Sequence, residues 1–433
     1  MQKKGLQHYM KNIILYRNFR KYIFAVILSV TVLLNFASYG LRIYAKEDDR
    51  KSAHGLSIIN NPVNGKMFLI WADNYGGDSE KEAWEHDIYY KELTENISEE
   101  DINSAKKLLI KANEAQEPAS ASVSGDGKII ITFEDGDNAG DSELAQRYAV
   151  YDENMNVIKE YPCTIALGGH SGHAASTDNR HVVFWSEGWV DGGGVDNLGS
   201  GDDVWITALT TDGDILSTKK IAVGEKTRDW WPMVAASKKK VLLLWQRFIK
   251  DEKYASLCTA VYDPVKNDFV GKNGKKTGYT KPHIIKGTKT SYYNYNAVWS
   301  EVLDVFVVNY TDSAGTGKIL LIDENGKIKK TIGKNAELPS FVREALPAYI
   351  AGNRKVKLIY PSSKNEYFMI TIKKIKVKGK ENFKIKISKE KKLAEWGYRG
   401  IVGVGIEKGK RFFIYLDKNR VRIKEVYFDK NKA

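Results

Sequence analysis

A short strand-like motif recurs seven times along the 433-residue chain, and this repetition constrains the fold more than any other feature. Each copy opens with small and apolar residues, passes through a turn and continues into a second, more hydrophobic run. The copies begin near residues 55, 118, 172, 232, 296, 346 and 400, at spacings of 50 to 64 residues. Repetition at a nearly constant period is typical of architectures in which each unit packs against its neighbours.

The residues inside each copy favour β-strands. Second runs such as Met67–Trp71 and Val241–Trp245 are rich in apolar and aromatic side chains, and Asn64-Gly65 marks a tight hairpin before the first of them. A third alternating run and, in most copies, a fourth complete the unit. We predict an all-β fold, a seven-bladed β-propeller of four-stranded antiparallel blades over residues 46–433, in preference to two β-sandwich domains.

Two places depart from this pattern. The last copy shows three strands, so its fourth is either missing or donated by an amino-terminal strand around Leu41–Ala45. In the first copy, Ser98 is followed by three acidic residues and then by Ile102–Lys107. A serine before an acidic first turn is a helix start signal, and we therefore predict a short helix between the third and fourth strands.

The amino terminus has the order of an export signal. Residues 1–45 contain seven Lys and Arg and no acidic residue, and most of these charges precede an apolar run over residues 22–37. Basic residues followed by an apolar run of this length predict either a signal peptide cleaved near Ala45 or an amino-terminal membrane anchor. In both cases we expect the rest of the chain to be secreted or held on the outer face of the cytoplasmic membrane, with membrane contact only through residues 22–37.

The formal charge of +13 is unevenly distributed. Residues 352–433 hold 24 basic and 8 acidic residues, whereas residues 46–351 hold 36 basic and 46 acidic residues. This distribution argues against a nucleic-acid partner, which would need the positive charge on its binding face. We interpret the Lys-rich tail as a solvated surface or as a contact with an anionic envelope surface.

Two cysteines are too few for a disulfide framework, and they do not form a zinc motif. The propeller assignment places Cys163 in the outer strand of the second blade and Cys258 in the third strand of the fourth blade. Positions that far apart exceed the reach of a disulfide, so we predict two free, buried thiols.

A recurring motif of an apolar run, Trp and an acid two residues later, followed by Asp-Ile-Tyr or its equivalent, resembles repeats of secreted bacterial β-propeller proteins. It is clearest in Leu69–Asp73 with Asp87–Tyr89, and in Phe184–Glu187 with Asp203–Trp205. The sialidase-like and glycan-active propellers belong to the same broad group. The sialidase Asp box does not occur, so the resemblance implies the fold and not sialidase chemistry.

Long loops and blade connections rich in aromatic and charged residues indicate a binding face. The predicted ligand-binding residues are Arg228, Trp230, Trp231, Trp189, Tyr293, Arg343, Trp396 and Arg399. Exposed rings would stack on sugars, and adjacent Trp230 and Trp231 should point in opposite directions, with one ring buried and the other exposed. Paired acids could cleave a glycosidic bond, and the weak catalytic candidates are Glu187, Asp229, His170 and His173.

One acidic loop is a candidate metal site. Asp135, Asp137, Asp141 and Glu143 place oxygen ligands around a glycine bend, as Ca²⁺ requires, although the spacing is not that of an EF-hand. A solvated acidic loop explains the same residues, and we otherwise predict no cofactor.

Two functions follow from these observations. The first is an exported propeller that binds, or both binds and cleaves, an extracellular or cell-wall polysaccharide. The alternative is a non-catalytic scaffold that binds an envelope protein through the same face.

Overall fold

The protein is all-β in the part of the chain that the structure describes. This computed structural model describes residues 55–73, 86–113, 116–136, 144–187, 203–222, 227–249, 254–270, 283–334, 338–363, 366–392, 400–406, 410–417 and 420–426. Several antiparallel sheets follow one another along these ranges in a propeller-like arrangement. No helix in the same ranges is long and apolar enough to cross a membrane. The predicted export segment, residues 1–45, lies outside them.

The first three sheets are four-stranded meanders in which consecutive strands pair. Sheet 1 consists of β1 (Leu56–Asn60), β2 (Met67–Asp73), β3 (Asp87–Leu93) and β4 (Lys107–Ile110). Sheet 2 consists of β5 (Gln116–Val123), β6 (Ile129–Asp135), β7 (Ala145–Tyr151) and β8 (Val157–Leu167). Sheet 3 consists of β9 (His170–Ser176), β10 (His181–Ser186), β11 (Val204–Leu209) and β12 (Ile215–Ala222).

The remaining three sheets differ in size. Sheet 4 consists of β13 (Thr227–Ala236), β14 (Val241–Ile249), β15 (Ala255–Asp263), β16 (Asp268–Val270), β17 (His283–Ser300), β18 (Val305–Asp312), β19 (Gly317–Ile322) and β20 (Ile328–Ile332). Sheet 5 consists of β21 (Ala348–Gly352), β22 (Lys355–Ser362), β23 (Glu366–Val377), β24 (Lys380–Ile387) and β25 (Lys391–Lys392). Sheet 6 consists of β26 (Val402–Gly405), β27 (Arg411–Asp417) and β28 (Arg420–Glu425).

Sheet 4 is large because β17 is 18 residues long and belongs to two meanders. Its amino-terminal part pairs with β15, where Thr290 lies opposite Ala255. Its carboxy-terminal part pairs with β18, where Ser300 lies opposite Val305. One continuous strand therefore closes the meander that begins at β13 and opens the one that ends at β20.

The apolar core lies between successive sheets. One cluster contains Trp71 of sheet 1, Ile131 of sheet 2 and Ile414 of sheet 6. Further clusters join sheets 2 and 3, sheets 3 and 4, the two meanders of sheet 4, sheets 4 and 5, and sheets 5 and 6. The second strand of a meander is buried on both faces because it lies between neighbours. This burial explains its continuous apolar run, such as β10 with every residue buried.

The first strands of the meanders approach one another closely. Contacts join β1 to β5, β5 to β9, β9 to β13, β13 to β17, and β26 to both β21 and β1. The Ser300 and Tyr349 hydroxyls, 2.9 Å apart, connect β17 to the β21 strand. A Cβ at Gly403 would lie 1.9 Å from the backbone nitrogen of Ala348. Small residues in these strands are therefore a requirement of the close packing.

A helix from sheet 1 contacts the outer strand of sheet 6. The helix α1 (Glu99–Ser104) begins at Ser98, whose hydroxyl accepts a hydrogen bond from the Asp101 amide at 3.1 Å, as predicted. The amide of Ile423 donates to Glu99 at 2.8 Å. The Glu99 side chain therefore occupies the edge of β28 that faces away from β27. An amino-terminal strand added at that edge would have to displace it. Residues 41–45 lie outside the described residues.

Both cysteines are free, as predicted. Cys258 is fully buried in β15, whereas Cys163 is only half-buried in β8. The exposure of Cys163 differs from the expectation because β8 is an outer strand whose side chains alternate between half-buried and exposed.

Candidate functional site

The first strands of sheets 2, 3 and 4 each contain a β-bulge near their beginning. The pairing register shifts between Glu117 and Ser120, between His170 and His173, and between Trp230 and Met233. A bulge adds a residue to one strand and turns the chain, which redirects the side chains beside it. The three bulges therefore set the side-chain directions at one end of the first strands.

Two bulge residues adopt left-handed backbone conformations that non-glycine residues rarely take. Ser171 has a φ of 54° and Trp231 a φ of 57°. Glu344, which precedes β21, has a φ of 59°. For a bulky side chain such as Trp231 this conformation is a genuine outlier, and such outliers cluster at functional sites.

The prediction that one of the two adjacent tryptophans is exposed is wrong. Trp230 is 5% exposed and Trp231 is 6% exposed. Their ring centroids lie 5.9 Å apart in an edge-to-face contact. Opposite side-chain directions hold for a regular strand, but the bulge and the left-handed Trp231 turn both rings into the same cluster.

Two arginines lie over these rings. The Arg228 guanidinium carbon is 3.8 Å from the Trp230 ring centroid, and that of Arg343 is 5.2 Å from the Trp231 ring centroid. Arg228 is fully buried, whereas Arg343 is half-buried and its Nε lies 3.1 Å from Glu344 Oε1. Such cation–π contacts stabilise both the charge and the ring orientation. We call Arg228, Trp230, Trp231, Arg343 and His170 the aromatic cluster.

His170 connects this cluster to sheet 2. Its ring is 6.1 Å from that of Trp230, and its Nδ1 is 3.0 Å from the Ser171 hydroxyl. The Ser171 amide donates a short hydrogen bond to Glu134, a half-buried residue that sequence reasoning missed. His173, also half-buried, has its Nδ1 3.1 Å from the Ser171 carbonyl oxygen. Both histidines are therefore part of the bulge structure.

Gln146 of β7 also holds this bulge in place, and nothing in the sequence predicts that role. It accepts from the Gly172 amide at 2.9 Å and donates to the Thr132 hydroxyl at 2.7 Å and the Phe133 carbonyl at 2.9 Å. A Cβ at Gly172 would lie 2.3 Å from the Gln146 side chain. A side chain at this position would have to displace the Gln146 amide from its hydrogen bonds. A lone glutamine in a strand gives no sequence signal of such a role.

The two candidate catalytic carboxylates are held in ion pairs. Asp229 is fully buried, accepts from Arg247 Nε at 2.8 Å and Nη2 at 2.9 Å, and accepts from the Trp245 indole at 2.7 Å. Burial raises the pKa of Asp229, while the Arg247 and Trp245 hydrogen bonds oppose that rise. Glu187 lies 2.9 Å from Lys220 Nζ. Asp229 thus joins the neighbouring strands β13 and β14, and Glu187 joins the end of β10 to β12, two strands away.

Ion pairs of the same kind explain the recurring tryptophan motif. In sheet 3, Lys220 also lies 2.7 Å from Asp203 and 5.1 Å from the Trp205 ring, which stacks on Trp185. Hydrogen bonding to Asp203 and Glu187 raises the Lys220 pKa, and burial raises that of Asp203.

Sheet 1 repeats the arrangement with different residues. Lys106 pairs with Asp73 and lies 4.4 Å from the Tyr89 ring, which contacts Trp71. The motif that carries the family resemblance is therefore a packing and ion-pair unit at the ends of strands two, three and four.

Asp135, a predicted calcium ligand, is buried among donors. It accepts from Tyr161 at 2.8 Å and Gln116 at 3.2 Å, and its Oδ2 lies 3.2 Å from Arg147 Nε. The other three predicted ligands, Asp137, Asp141 and Glu143, lie outside the described residues. Among the described residues, no group of three or more His, Cys, Asp or Glu could hold a metal ion. The calcium site stays a prediction for the loop itself.

Several predicted binding residues lie outside the described part of the chain. They are Trp189, Trp396, Arg399 and the side chain of Tyr293. The residues that the structure does bring together are the five of the aromatic cluster. Two neighbours bond to the cluster directly: Tyr295 donates to the Trp231 carbonyl, and Glu344 accepts from Arg343. Glu134 and Gln146 accept from the Ser171 and Gly172 amides that follow His170, and Asp229 pairs with Arg247.

Comparison with known proteins assigns no family. No family model and no curated protein matches the chain. Among solved structures, a mutant of puromycin hydrolase complexed with PGG aligns at a TM-score of 0.38 and 11% identity, covering 84% of this chain and 50% of that chain. Puromycin hydrolase itself gives 0.36 and 12% over the same shares of the two chains.

A neuraminidase-like protein of the flat-faced bat isolate from Peru aligns at a TM-score of 0.37 and 10% identity, covering 72% of this chain and 86% of that one. The chain spans about half the length of the puromycin hydrolase chains that it matches. Similarity at this level assigns neither a family nor an activity.

Proposed function

We propose that the protein is an exported seven-bladed β-propeller that binds an extracellular or cell-wall polysaccharide beside the aromatic cluster, without cleaving it. Export rests on the basic and then apolar order of residues 1–45. Binding rests chiefly on the strained conformation of Trp231, whose ring contacts Trp230 and Arg343.

Seven blades are supported by the packing between sheets. Sheet 4 contributes two blades that share β17, and every pair of successive meanders has an apolar cluster between its faces. The cluster that contains Trp71 of sheet 1 and Ile414 of sheet 6 joins the last meander to the first. A ring closed in this way leaves no large open sheet face.

Binding is supported by the polar residues around a rigid base. The buried rings of Trp230 and Trp231 are fixed by the two arginines and do not offer a free face. The half-buried Arg343, His173 and Glu134 remain partly open to solvent around them. Charged donors and acceptors on a rigid support can hydrogen-bond to sugar hydroxyls with little loss of side-chain entropy.

Binding without cleavage is favoured by the condition of the candidate acids. Glycoside hydrolysis needs one carboxyl group as a proton donor and a second as a base or nucleophile. Asp229 is occupied by Arg247 and Trp245, and Glu187 by Lys220. Neither is placed to exchange protons with a substrate, so we expect no hydrolysis from this pair.

A glycan array and a reducing-sugar assay test this proposal together. We expect binding to one class of polysaccharide and no release of reducing ends. Arg343→Ala should weaken binding by about tenfold, because Arg343 is the partly exposed cation of the cluster. Arg180→Ala is the matched control, since Arg180 lies in the β9–β10 turn at the other end of the strands.

Two results would reject the proposal. One is an array without any glycan ligand, combined with capture of an envelope protein that Arg343→Ala abolishes, which would establish the scaffold function instead. The other is release of reducing ends that Glu187→Gln abolishes without loss of the fold, which would establish hydrolysis.

A further inference from the structure

The outer half of sheet 5 presents lysines on the face that is turned towards sheet 6. In the register of β23 and β24, Lys373 lies opposite Lys384, Thr371 opposite Lys386, and Val377 opposite Lys380. Cross-strand partners share a face of the sheet. The other face carries Ile372 and Phe383, which pack in the cluster between sheets 4 and 5. The lysine face is therefore the one directed away from sheet 4.

The inner part of this face is covered by sheet 6. Tyr367 and Met369 of β23 pack in one cluster with Phe413 and Tyr415 of β27. Thr371 and Lys373, further along β23, are not part of this cluster, and the Lys373 side chain is exposed.

The strand β28 also carries basic residues on its face towards sheet 5, but they do not lie beside these lysines. Lys424 lies opposite Phe413 and Arg420 opposite Asp417, and Phe413 faces sheet 5. Arg422, opposite Tyr415, is already bound, with Nη1 3.2 Å from Glu99 and Nε 3.5 Å from Asp417. Tyr367 contacts Phe413, with ring centroids 6.4 Å apart. From this contact, Arg422 and Arg420 lie towards one end of the strands, and Lys373 and Lys384 lie towards the other. The lysines of sheet 5 therefore form a surface of their own.

We call this surface the basic cleft, which consists of Lys373, Lys380, Lys384 and Lys386. All four of these lysines are exposed, and none of them forms an ion pair with a described carboxylate. Like charges gathered without partners raise the local potential and attract anions. Val377, 45% exposed at the tip of the hairpin, adds an apolar contact.

We propose that the basic cleft binds a linear polyanionic polysaccharide, one that carries a carboxylate or phosphate on successive sugar units. The lysines repeat along two adjacent strands, so a chain that lies along them meets one cation after another. The surface is distinct from the aromatic cluster, and the inference does not depend on the ligand proposed there.

A strand-forming peptide is a poorer occupant of this place. Addition of a strand to sheet 6 needs the free backbone edge of β28. That edge is bound over Val421 and Ile423 by Asn103 and Glu99 of α1. The basic side chains, in contrast, project from the face and are available to a ligand that does not need the backbone.

Binding of the full chain to alginate, a polyuronate, tests the inference, with neutral dextran as the control polymer and a nonionic detergent present. We expect binding to alginate and none to dextran. The affinity for alginate should fall by at least about tenfold between about 50 mM and about 500 mM NaCl, because salt screens the charges. The triple variant Lys373→Gln, Lys384→Gln and Lys386→Gln should lose at least about tenfold in affinity at the lower salt concentration.

The matched control removes three exposed lysines elsewhere, by Lys238→Gln, Lys239→Gln and Lys327→Gln. Equal loss of alginate binding in both triple variants would overturn the inference, because net charge alone would then explain it. Unchanged alginate binding in the cleft triple variant would overturn it as well. So would binding to vesicles of anionic phospholipid, without detergent, in place of binding to alginate. Arg343→Ala should retain alginate binding through the cleft, so failure of the function proposed at the aromatic cluster can be recognised separately.

Discussion

The side-chain amide of Asn103 pairs with both backbone groups of Val421, although 318 positions separate the two residues in the chain. Its Nδ2 donates to the Val421 carbonyl, and its Oδ1 accepts from the Val421 amide, each at 3.1 Å. This is the pattern that a neighbouring strand would supply. One side chain of α1 therefore protects the exposed edge of the last sheet.

Loss of this pair should destabilise the fold. For Asn103→Ala, we expect the free energy of unfolding to fall by about 1–2 kcal/mol, because two backbone groups of β28 lose their partners. Urea unfolding measures the change. Ser104→Ala is the control, since Ser104 lies in the same helix and its hydroxyl donates only to the Glu100 carbonyl. Equal stability of Asn103→Ala and the wild type would contradict the assigned role.

Loss of the ion pair between Asp229 and Arg247 should lower the free energy of unfolding by a larger amount. Asp229→Asn leaves Arg247 without its carboxylate partner, and we expect a loss of about 3–5 kcal/mol. In the double variant Asp229→Asn with Arg247→Gln, the loss should be smaller than the sum of the single losses. Additive losses in thermal unfolding would show that the two residues are not coupled.

Both tryptophans of the aromatic cluster should be essential to stability. Because each ring is more than nine-tenths buried, Trp230→Ala and Trp231→Ala should each cost about 3–5 kcal/mol. Trp299→Ala, which removes a half-buried ring in contact with Phe306, is the comparison and should cost less. A normal melting temperature for Trp231→Ala would be incompatible with the packing described.

His181 should make the protein sensitive to mild acid. This residue is fully buried, with Nδ1 2.7 Å from the Ser176 hydroxyl, and burial lowers its pKa from 6.5 to about 4. The folded state therefore prefers the neutral ring. The stabilisation is complete above about pH 6.5 and is lost as the pH falls towards about 4, by up to about 3 kcal/mol.

Unfolding midpoints measured between these pH values in wild type and His181→Asn give the test. The variant should lose most of the pH dependence in this window, while His173→Asn, at a half-buried ring, should keep it. An identical pH dependence in wild type and His181→Asn would assign the acid sensitivity to other groups.

The two thiols should differ in reactivity in the folded protein. Burial raises the pKa of the Cys258 thiol far above its ordinary range and also raises that of Cys163. Because the thiolate is the reactive form, Cys258 should react only on unfolding and Cys163 slowly but measurably. Titration with a thiol reagent before and after denaturation, without reductant, should count first one thiol and then two. Rapid labelling of Cys258 in the native protein would contradict its burial.

The regular parts of the fold were predictable because strand patterns are local. The second run of each repeat, such as Val241–Trp245, lies within a strand of the structure. The α1 start was also predictable, since Ser98 caps the helix through residues three positions away. The contact of α1 with β28 was not, because nothing near Asn103 in sequence indicates a partner more than 300 residues later.

The candidate site was harder to predict for a physical reason. Alternation of side chains applies to a regular strand, but a bulge changes it, and the bulge at Trp231 leaves no pattern that sequence periodicity can detect. Asp229 was predicted as a catalytic candidate because a sequence does not reveal which partner is buried with a charged residue. In the structure that partner is Arg247, on the neighbouring strand.

The strand β17 limits how far the protein can be divided. Sheets 1, 2 and 3 each consist of strands that no other sheet uses, so one of them could in principle be exchanged as a module. A module boundary placed within β17 would instead cut the one strand that pairs with both β15 and β18, so both meanders would lose backbone hydrogen bonds. The segment from Thr227 to Ile332 must therefore be inherited, transplanted or deleted as a single piece.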